Sequence, residues 1–225
     1  MFKTEKDLVE NITSNLLANR VVGFSFLSDK NQKIFHELKL GYGVPDVVVT
    51  HYTTPSDLRS VFLDHFDILL LDLIIRKKRI DIDTIFNITR SSKTKIKNSL
   101  LKLIKEEFVS IDSNLYKQNK PYRSVLTQTV AIEAKLYSWK KALNQAYRYK
   151  WFSEHSFVFL PEENIGPAMK NIEMFKKLEV GLASVGKNSI DVIYASSPSD
   201  PVCPTMSSFL NEYVLYQCGG ISRLA

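Results

Sequence analysis

Residues 131–161 read AIEAKLYSWKKALNQAYRYKWFSEHSFVFLP. The stretch opens on a β-type run that ends in Glu133-Ala134-Lys135. A helical pattern follows, carrying Trp139, Leu143, Gln145, Ala146 and Tyr149, and a second β-type run closes it over residues 156–160. Successive strand residues point to opposite faces, so Glu133 and Lys135 share one. A carboxylate and an ammonium two residues apart at a strand end suit a metal ion held beside a phosphate. The missing partner is a second carboxylate. Gly43-Val44-Pro45-Asp46-Val47-Val48-Val49 offers it, with Asp46 at a strand start just after a turn.

The rest of the composition sets bounds. The chain has 225 residues, 44% hydrophobic and 24% charged, ordinary values for a globular protein with a sizeable core. Its net charge of +6 favours polyanion partners. Cys203 and Cys218 are too few for a disulfide framework or a four-ligand zinc site, and they fit a reducing, cytoplasmic setting. The start, Met-Phe-Lys-Thr-Glu-Lys-Asp, does not read as a signal peptide. The most apolar run, residues 66–75, contains Asp67 and Asp72 and is too short to span a bilayer, so no membrane association is expected. His36, His51, His65 and His155 lack zinc spacing. The chain carries no phosphate-binding loop of the Gly-x-x-x-x-Gly-Lys-Ser/Thr type, and no small-molecule cofactor is expected.

In chain order, the spacing predicts a helix over 4–19, a strand over 21–27, a turn at Lys30-Asn31-Gln32 and a strand over 34–40 containing Glu37. Gly41-Tyr42-Gly43 reads as a tight reversal before a strand at 47–50. From Pro55 to about Pro121 the character changes. A strongly apolar helix is expected over 61–75, a short helix over 81–86, a turn at 87–90 and a longer helix over 91–107. A hairpin turns on Asp112-Ser113-Asn114. After Pro121 the sheet resumes, with strands over 125–135, 156–160, 180–185 and 190–195. Helices are expected after Trp139, over 162–177 and over 206–216.

Ile82-Asp83-Thr84-Ile85-Phe86, Ser91-Ser92-Lys93-Thr94-Lys95-Ile96 and Leu103-Ile104-Lys105-Glu106-Glu107-Phe108-Val109 resemble the winged helix-turn-helix family, whose second helix enters the major groove. Between Arg90 and Lys105 there are six basic residues and no acidic one. Lys93, Lys95, Asn98 and Lys102 are the candidate DNA contacts, binding in a salt-dependent way. Winged helices also serve as protein-binding or spacer modules. The expected organisation is thus residues 1–54 and 122–225 as one α/β domain, a mixed sheet covered by helices, with residues 55–121 inserted between two of its strands.

The chemistry is expected at Asp46, Glu133 and Lys135. Two carboxylates from neighbouring strand ends, with the Ala134 carbonyl between Glu133 and Lys135, can bind Mg²⁺ through hard oxygens. Such an ion makes water a usable nucleophile and offsets charge on a phosphoryl transition state. Lys135 would orient or help deprotonate that water and neutralise the phosphate. Glu37 is a fourth candidate, for a second ion or for polarising the first. Residues 134–153 contain no acid, and Ser138, Lys141, Gln145 and Arg148 fall on one helical stripe that can line a phosphate track.

Pro45-Asp46 with Glu133-Ala134-Lys135 resembles the PD-(D/E)xK nuclease superfamily. Gln145-Ala146-Tyr147-Arg148-Tyr149 looks like the Gln-xxx-Tyr element of its RecB-like branch. The resemblance implies a restriction-endonuclease-like core, Mg²⁺ or Mn²⁺, and hydrolysis of DNA phosphodiesters. Asp46 and Glu133 would be metal ligands, Lys135 the catalytic lysine, and Gln145 a substrate contact or a support for the site. The reading is a metal-dependent DNA endonuclease whose winged helix grips duplex DNA. The alternatives are a DNA-binding regulator, or a complex subunit, built on an inactive nuclease scaffold. A homodimer would supply two active sites for double-strand cutting, with residues 206–216 as its seam.

Overall fold

The computed structural model describes residues 2–24, 31–41, 43–56 and 58–221. The end of the strand expected over 21–27, Lys30 of the expected turn, and Tyr42 of the expected reversal lie outside the described residues. The chain divides into two compact units, residues 1–53 with 126–207, and residues 54–125 with 208–225. No described helix is long and apolar enough to cross a membrane.

The first unit is a seven-stranded mixed sheet flanked by helices. Its elements are α1 (Glu5–Leu17), β1 (Val21–Val22), β2 (Gln32–His36), β3 (Val47–Tyr52), β6 (Leu126–Ala134), α5 (Trp139–Tyr149), β7 (His155–Pro161), α6 (Gly166–Met169), α7 (Ile172–Leu178), β8 (Gly181–Val185) and β9 (Ile190–Tyr194). The strand order is β1-β9-β8-β7-β6-β3-β2. β6, β7 and β8 run parallel, while β3 is antiparallel to β6. The helix between β6 and β7 is the crossover that parallel strands require.

α1 starts where Thr4 and Asp7 cap each other. Asp7 N donates to Thr4 Oγ1 at 3.1 Å, and Thr4 N donates to Asp7 Oδ2 at 2.9 Å, which satisfies two of the helix's orphan donors. Leu8, Ile12 and Leu16, at helical spacing, are buried with Val47, Val49, Val130, Ile132, Ala134, Phe157 and Phe159. Because strand side chains alternate, the residues between these, including Glu133, point to the other face. α5 packs on β6 and β7, burying a stripe of Trp139, Ala142, Leu143, Ala146 and Tyr149. Gly181 lies opposite Phe157 in the β7–β8 pair. A Cβ there would fall 2.2 Å from the Phe157 ring, so glycine is the residue that lets the ring lie over the strand.

Several expected boundaries move for local reasons. The strand expected over 34–40 ends at His36, because Glu37 takes a left-handed φ of 48°. The helix expected over 162–177 is a 3₁₀ turn, Glu162–Asn164, followed by α6 and α7. Pro167 follows Gly166 in this stretch and cannot donate into a continuous helix.

The second unit contains α2 (His65–Lys77), α3 (Ile82–Thr89), α4 (Lys93–Lys105), β4 (Val109–Asp112) and β5 (Leu115–Gln118). α2 begins four residues later than expected because Asp64 caps it, accepting from Phe66 N at 2.8 Å and Asp67 N at 3.1 Å. α3 runs on through the expected turn and ends at Arg90, whose φ of 54° is a left-handed cap. Ser113 and Asn114, at φ of 51° and 68°, form the two-residue turn that matches strand twist. Ile68, Leu71, Ile74, Ile85, Ile96, Leu100, Leu103 and Val109 share one core.

The last helix among the described residues is α8 (Pro204–Gln217). The sequence assigns residues 122–225 to the sheet domain, whereas residues 208–225 group with 54–125. The cause is a buried polar network. Asn211 Oδ1 accepts from Val125 N at 2.8 Å, and Glu212 accepts from Tyr122 Oη at 2.7 Å and Leu63 N at 2.9 Å. Both polar residues are fully buried, and in a hydropathy pattern they look like the exposed side of an amphipathic helix.

Candidate active site

Val47 of β3 is registered opposite Ile132 of β6. One step further along this antiparallel pair, Asp46 faces Glu133. Directly opposed strand residues hold their Cβ atoms about 4.5–5.5 Å apart on one face, so two carboxylates meet at the strand ends. Asp46 Oδ2 accepts from Ala134 N at 2.7 Å. The N–H and C=O of one strand residue point to the same side, so the Ala134 carbonyl also faces the Asp46 strand.

Glu133 is only 1% exposed. The Tyr149 hydroxyl donates to Glu133 Oε2 and lies 3.2 Å from the Val44 carbonyl oxygen. The turn before Asp46 passes close to this ring. Gly43 has a φ of 119°, and a Cβ there would lie 3.0 Å from Tyr149 Cε1. The other Glu133 oxygen, Oε1, is 3.2 Å from Lys135 Nζ, and Lys135 Nζ also reaches Glu5 Oε2 at 3.0 Å. The structure therefore brings Asp46, Glu133, Ala134 and Lys135 together.

Burial sets the electrostatics. It pushes the Asp46 carboxyl above its ordinary value, against the Ala134 N–H and Lys135, while Glu5 and Glu37 add to the rise. Burial likewise pushes Glu133 up, Tyr149 and Lys135 oppose it, and the Asp46 charge reinforces it. For Lys135, burial alone would lower the pKa. The hydrogen bond that Lys135 donates to Glu5, then the charges of Glu133 and Asp46, hold it above the usual lysine range, so Lys135 is a cation at neutral pH. Burial and the Glu133 carboxylate push the Tyr149 hydroxyl well up, so it stays a donor.

Glu37 sits just past β2, where its N–H donates to the Asp46 carbonyl oxygen at 3.4 Å. Its left-handed backbone is uncommon for a non-glycine residue. An open cleft of about 620 Å³ runs along α1 to this point, lined by Glu5, Lys6, Glu10, His36, Glu37 and Asp46. Its carboxylates would repel a bare polyanion.

Among the described residues no group of three or more His, Cys, Asp or Glu could hold a metal ion. The set at the strand ends is two carboxylates and a carbonyl. It still fits Mg²⁺ or Mn²⁺, because Mg²⁺ takes one or two protein carboxylates and keeps several waters. The buried Glu133 and the half-buried Asp46, whose charge raises the Glu133 pKa, with one ammonium on Glu133, carry negative charge that a divalent cation would neutralise.

Gln145 lies one turn before Tyr149 on α5, and its Oε1 is buried without a hydrogen-bond partner among the described residues. Lys141 and Arg148 are exposed on the same helix. In the second unit, Lys93 Nζ is 2.8 Å from Asp83 Oδ1, and Lys95 Nζ lies over the Phe66 ring at 4.3 Å. Asn98 is exposed. Lys102 is held between Asp64 at 3.1 Å and the buried Asp67 at 2.6 Å, which gives it a structural role.

Sequence reasoning does not find Glu5. An acid in the first turn of a helix reads as a capping residue, and nothing in its spacing links it to Lys135. It places Tyr149 one turn after Gln145 without linking it to Glu133. No protein-family model, curated protein or solved structure matches this chain.

Proposed function

We propose that the chain is a metal-dependent deoxyribonuclease of the restriction-endonuclease-like type, hydrolysing phosphodiester bonds at Asp46, Glu133 and Lys135. The observation that carries the reading is the opposition of Asp46 and Glu133 across β3 and β6, with Lys135 Nζ on the Glu133 carboxylate. Asp46, Glu133 and the Ala134 carbonyl would hold Mg²⁺ or Mn²⁺. When bound, the ion supplies Lewis acidity and offsets charge at the scissile phosphate.

The chain's own groups do the rest. The Ala134 N–H fixes the rotamer of Asp46. The Tyr149 hydroxyl holds the ionised form of Glu133. If Glu133 is protonated, the same hydroxyl can turn its proton to the Val44 carbonyl, so the pair tolerates either state. Lys135 is a cation, so it donates rather than accepts. It orients a water and stabilises charge that develops on a phosphate oxygen. Gln145 offers a free acceptor one turn from Tyr149.

The second unit supports a winged helix-turn-helix reading through its element order, α2, α3, α4 and then a β4–β5 hairpin. The exposed Lys95, Lys97 and Asn98 of α4 are its duplex contacts. Incubation with circular, linear and single-stranded DNA in Mg²⁺, with EDTA as control, tests the function. Cleavage is expected for the unaltered chain and is lost in Asp46→Ala and Lys135→Ala. Equal DNA binding by all three, with no metal-dependent cleavage by any, leaves the regulator reading.

A further inference from the structure

The second unit contains a cavity of about 270 Å³ whose lining includes Arg59, Phe108, Lys120, Tyr122, Arg123 and Leu215. Arg59 is 7% exposed. Its Nη2 donates to Glu212 Oε2 at 2.5 Å, but its Nε and Nη1 are buried with no hydrogen-bond partner among the described residues. A guanidinium carries five N–H donors, and a buried charged donor left unpaired is costly.

Glu212 neutralises the Arg59 charge and also accepts from Leu63 N and the Tyr122 hydroxyl, so the net positive charge of the cavity rests on its other cations. Lys120 Nζ lies 5.0 Å from the centroid of the Phe108 ring, and Arg59 Cζ lies 5.6 Å from the same centroid. Among the described residues neither Lys120 nor Arg123 has a carboxylate partner. Among the described residues three cations thus line a small cavity and one carboxylate, Glu212, offsets Arg59, against walls of aromatic and apolar side chains. Fixed donors with positive charge select an anion, and the walls select an organic body attached to it.

We propose that this cavity binds the phosphate monoester of a mononucleotide-sized ligand, with the phosphate held by Lys120 and Arg123 beside the Arg59 guanidinium. Phe108, Tyr122 and Leu215 take the organic body. The phosphate comes either from a free nucleotide or from the 5′-phosphorylated end of a DNA strand. The proposal is independent of the nuclease reading, since it concerns binding within the second unit without metal.

Calorimetric titration of the full chain in EDTA tests it, with a deoxynucleoside 5′-monophosphate, the matching nucleoside and inorganic phosphate. The nucleotide is expected to bind at least about tenfold more tightly than the nucleoside, as charge-assisted hydrogen bonds imply, and phosphate is expected to compete with it. Lys120→Ala with Arg123→Ala should weaken nucleotide binding at least about tenfold and leave the melting temperature of the unliganded chain unchanged. A 5′-phosphorylated trinucleotide that displaces the nucleotide, when its 5′-hydroxyl counterpart does not, identifies a strand end. Failure of both to displace it identifies a free nucleotide. Equal affinity for nucleoside and nucleotide, no binding at millimolar nucleotide, or undiminished binding by the double variant overturns the proposal.

Discussion

Asp46 and Glu133 stand opposite each other at the ends of β3 and β6, one register step beyond the Val47–Ile132 pair. Desolvation raises the pKa of each, and the Asp46 charge raises that of Glu133 further. Such a pair stores repulsion that only a proton or a cation relieves.

A pH dependence of stability follows. Both folded-state pKa values lie above the unfolded ones, so the native state binds more protons between the two. Stability should therefore fall as pH rises from the ordinary carboxylate range through the raised values. Asp46→Asn keeps an acceptor for Ala134 N and removes the charge. It is expected to flatten that fall and to raise the melting temperature at neutral pH in EDTA, by ~2–4 °C for each kcal/mol relieved. Thermal melts across the acidic range check it.

Tyr149→Phe keeps the ring and removes the donor to Glu133. Groups that orient a metal-binding carboxylate typically change affinity or activity by about 10–100-fold when lost. Cleavage is expected to fall in that range, with a higher Mg²⁺ concentration needed for half-maximal rate. Rate measured against Mg²⁺ concentration separates this from general unfolding.

Glu5→Gln releases Lys135 from one of its two carboxylates. Glu5 is 51% exposed, so solvent screens the pair and stability should change by less than about 1 kcal/mol. Cleavage is expected to stay within about tenfold of the unaltered chain, since Lys135 keeps Glu133. A loss as complete as that of Asp46→Ala, read in the same cleavage assay, would make Glu5 a direct participant.

Lys102 and Lys95 should separate stability from DNA binding. Lys102→Ala leaves Asp67 buried without its ammonium and should cost about 1–3 kcal/mol in urea melts. Lys95→Glu with Lys97→Glu changes exposed positions. It should leave the melt intact, weaken binding to duplex of any sequence, and reduce the salt slope by about 2.

The sheet was legible where a local signal coincided with the tertiary one. Glu133-Ala134-Lys135 ends an apolar strand run, and the helix after it has an unambiguous buried stripe, so β6, α5 and β7 follow from the sequence. Asp46 was legible because Gly43 and Pro45 mark the turn before it. Glu37 was placed inside a strand because hydropathy alternation does not register a left-handed residue. Glu5 and Glu212 were hidden because their partners, Lys135 and Arg59, are more than one hundred positions away. No local pattern encodes a pairing that only the folded chain brings about.

The central claim, that the two facing carboxylates cage a divalent cation, is met most directly by calorimetric titration with Mn²⁺. The unaltered chain should bind the ion, and Asp46→Asn, still folded, should not. Equal binding by both, or none by either at millimolar Mn²⁺, would contradict the account.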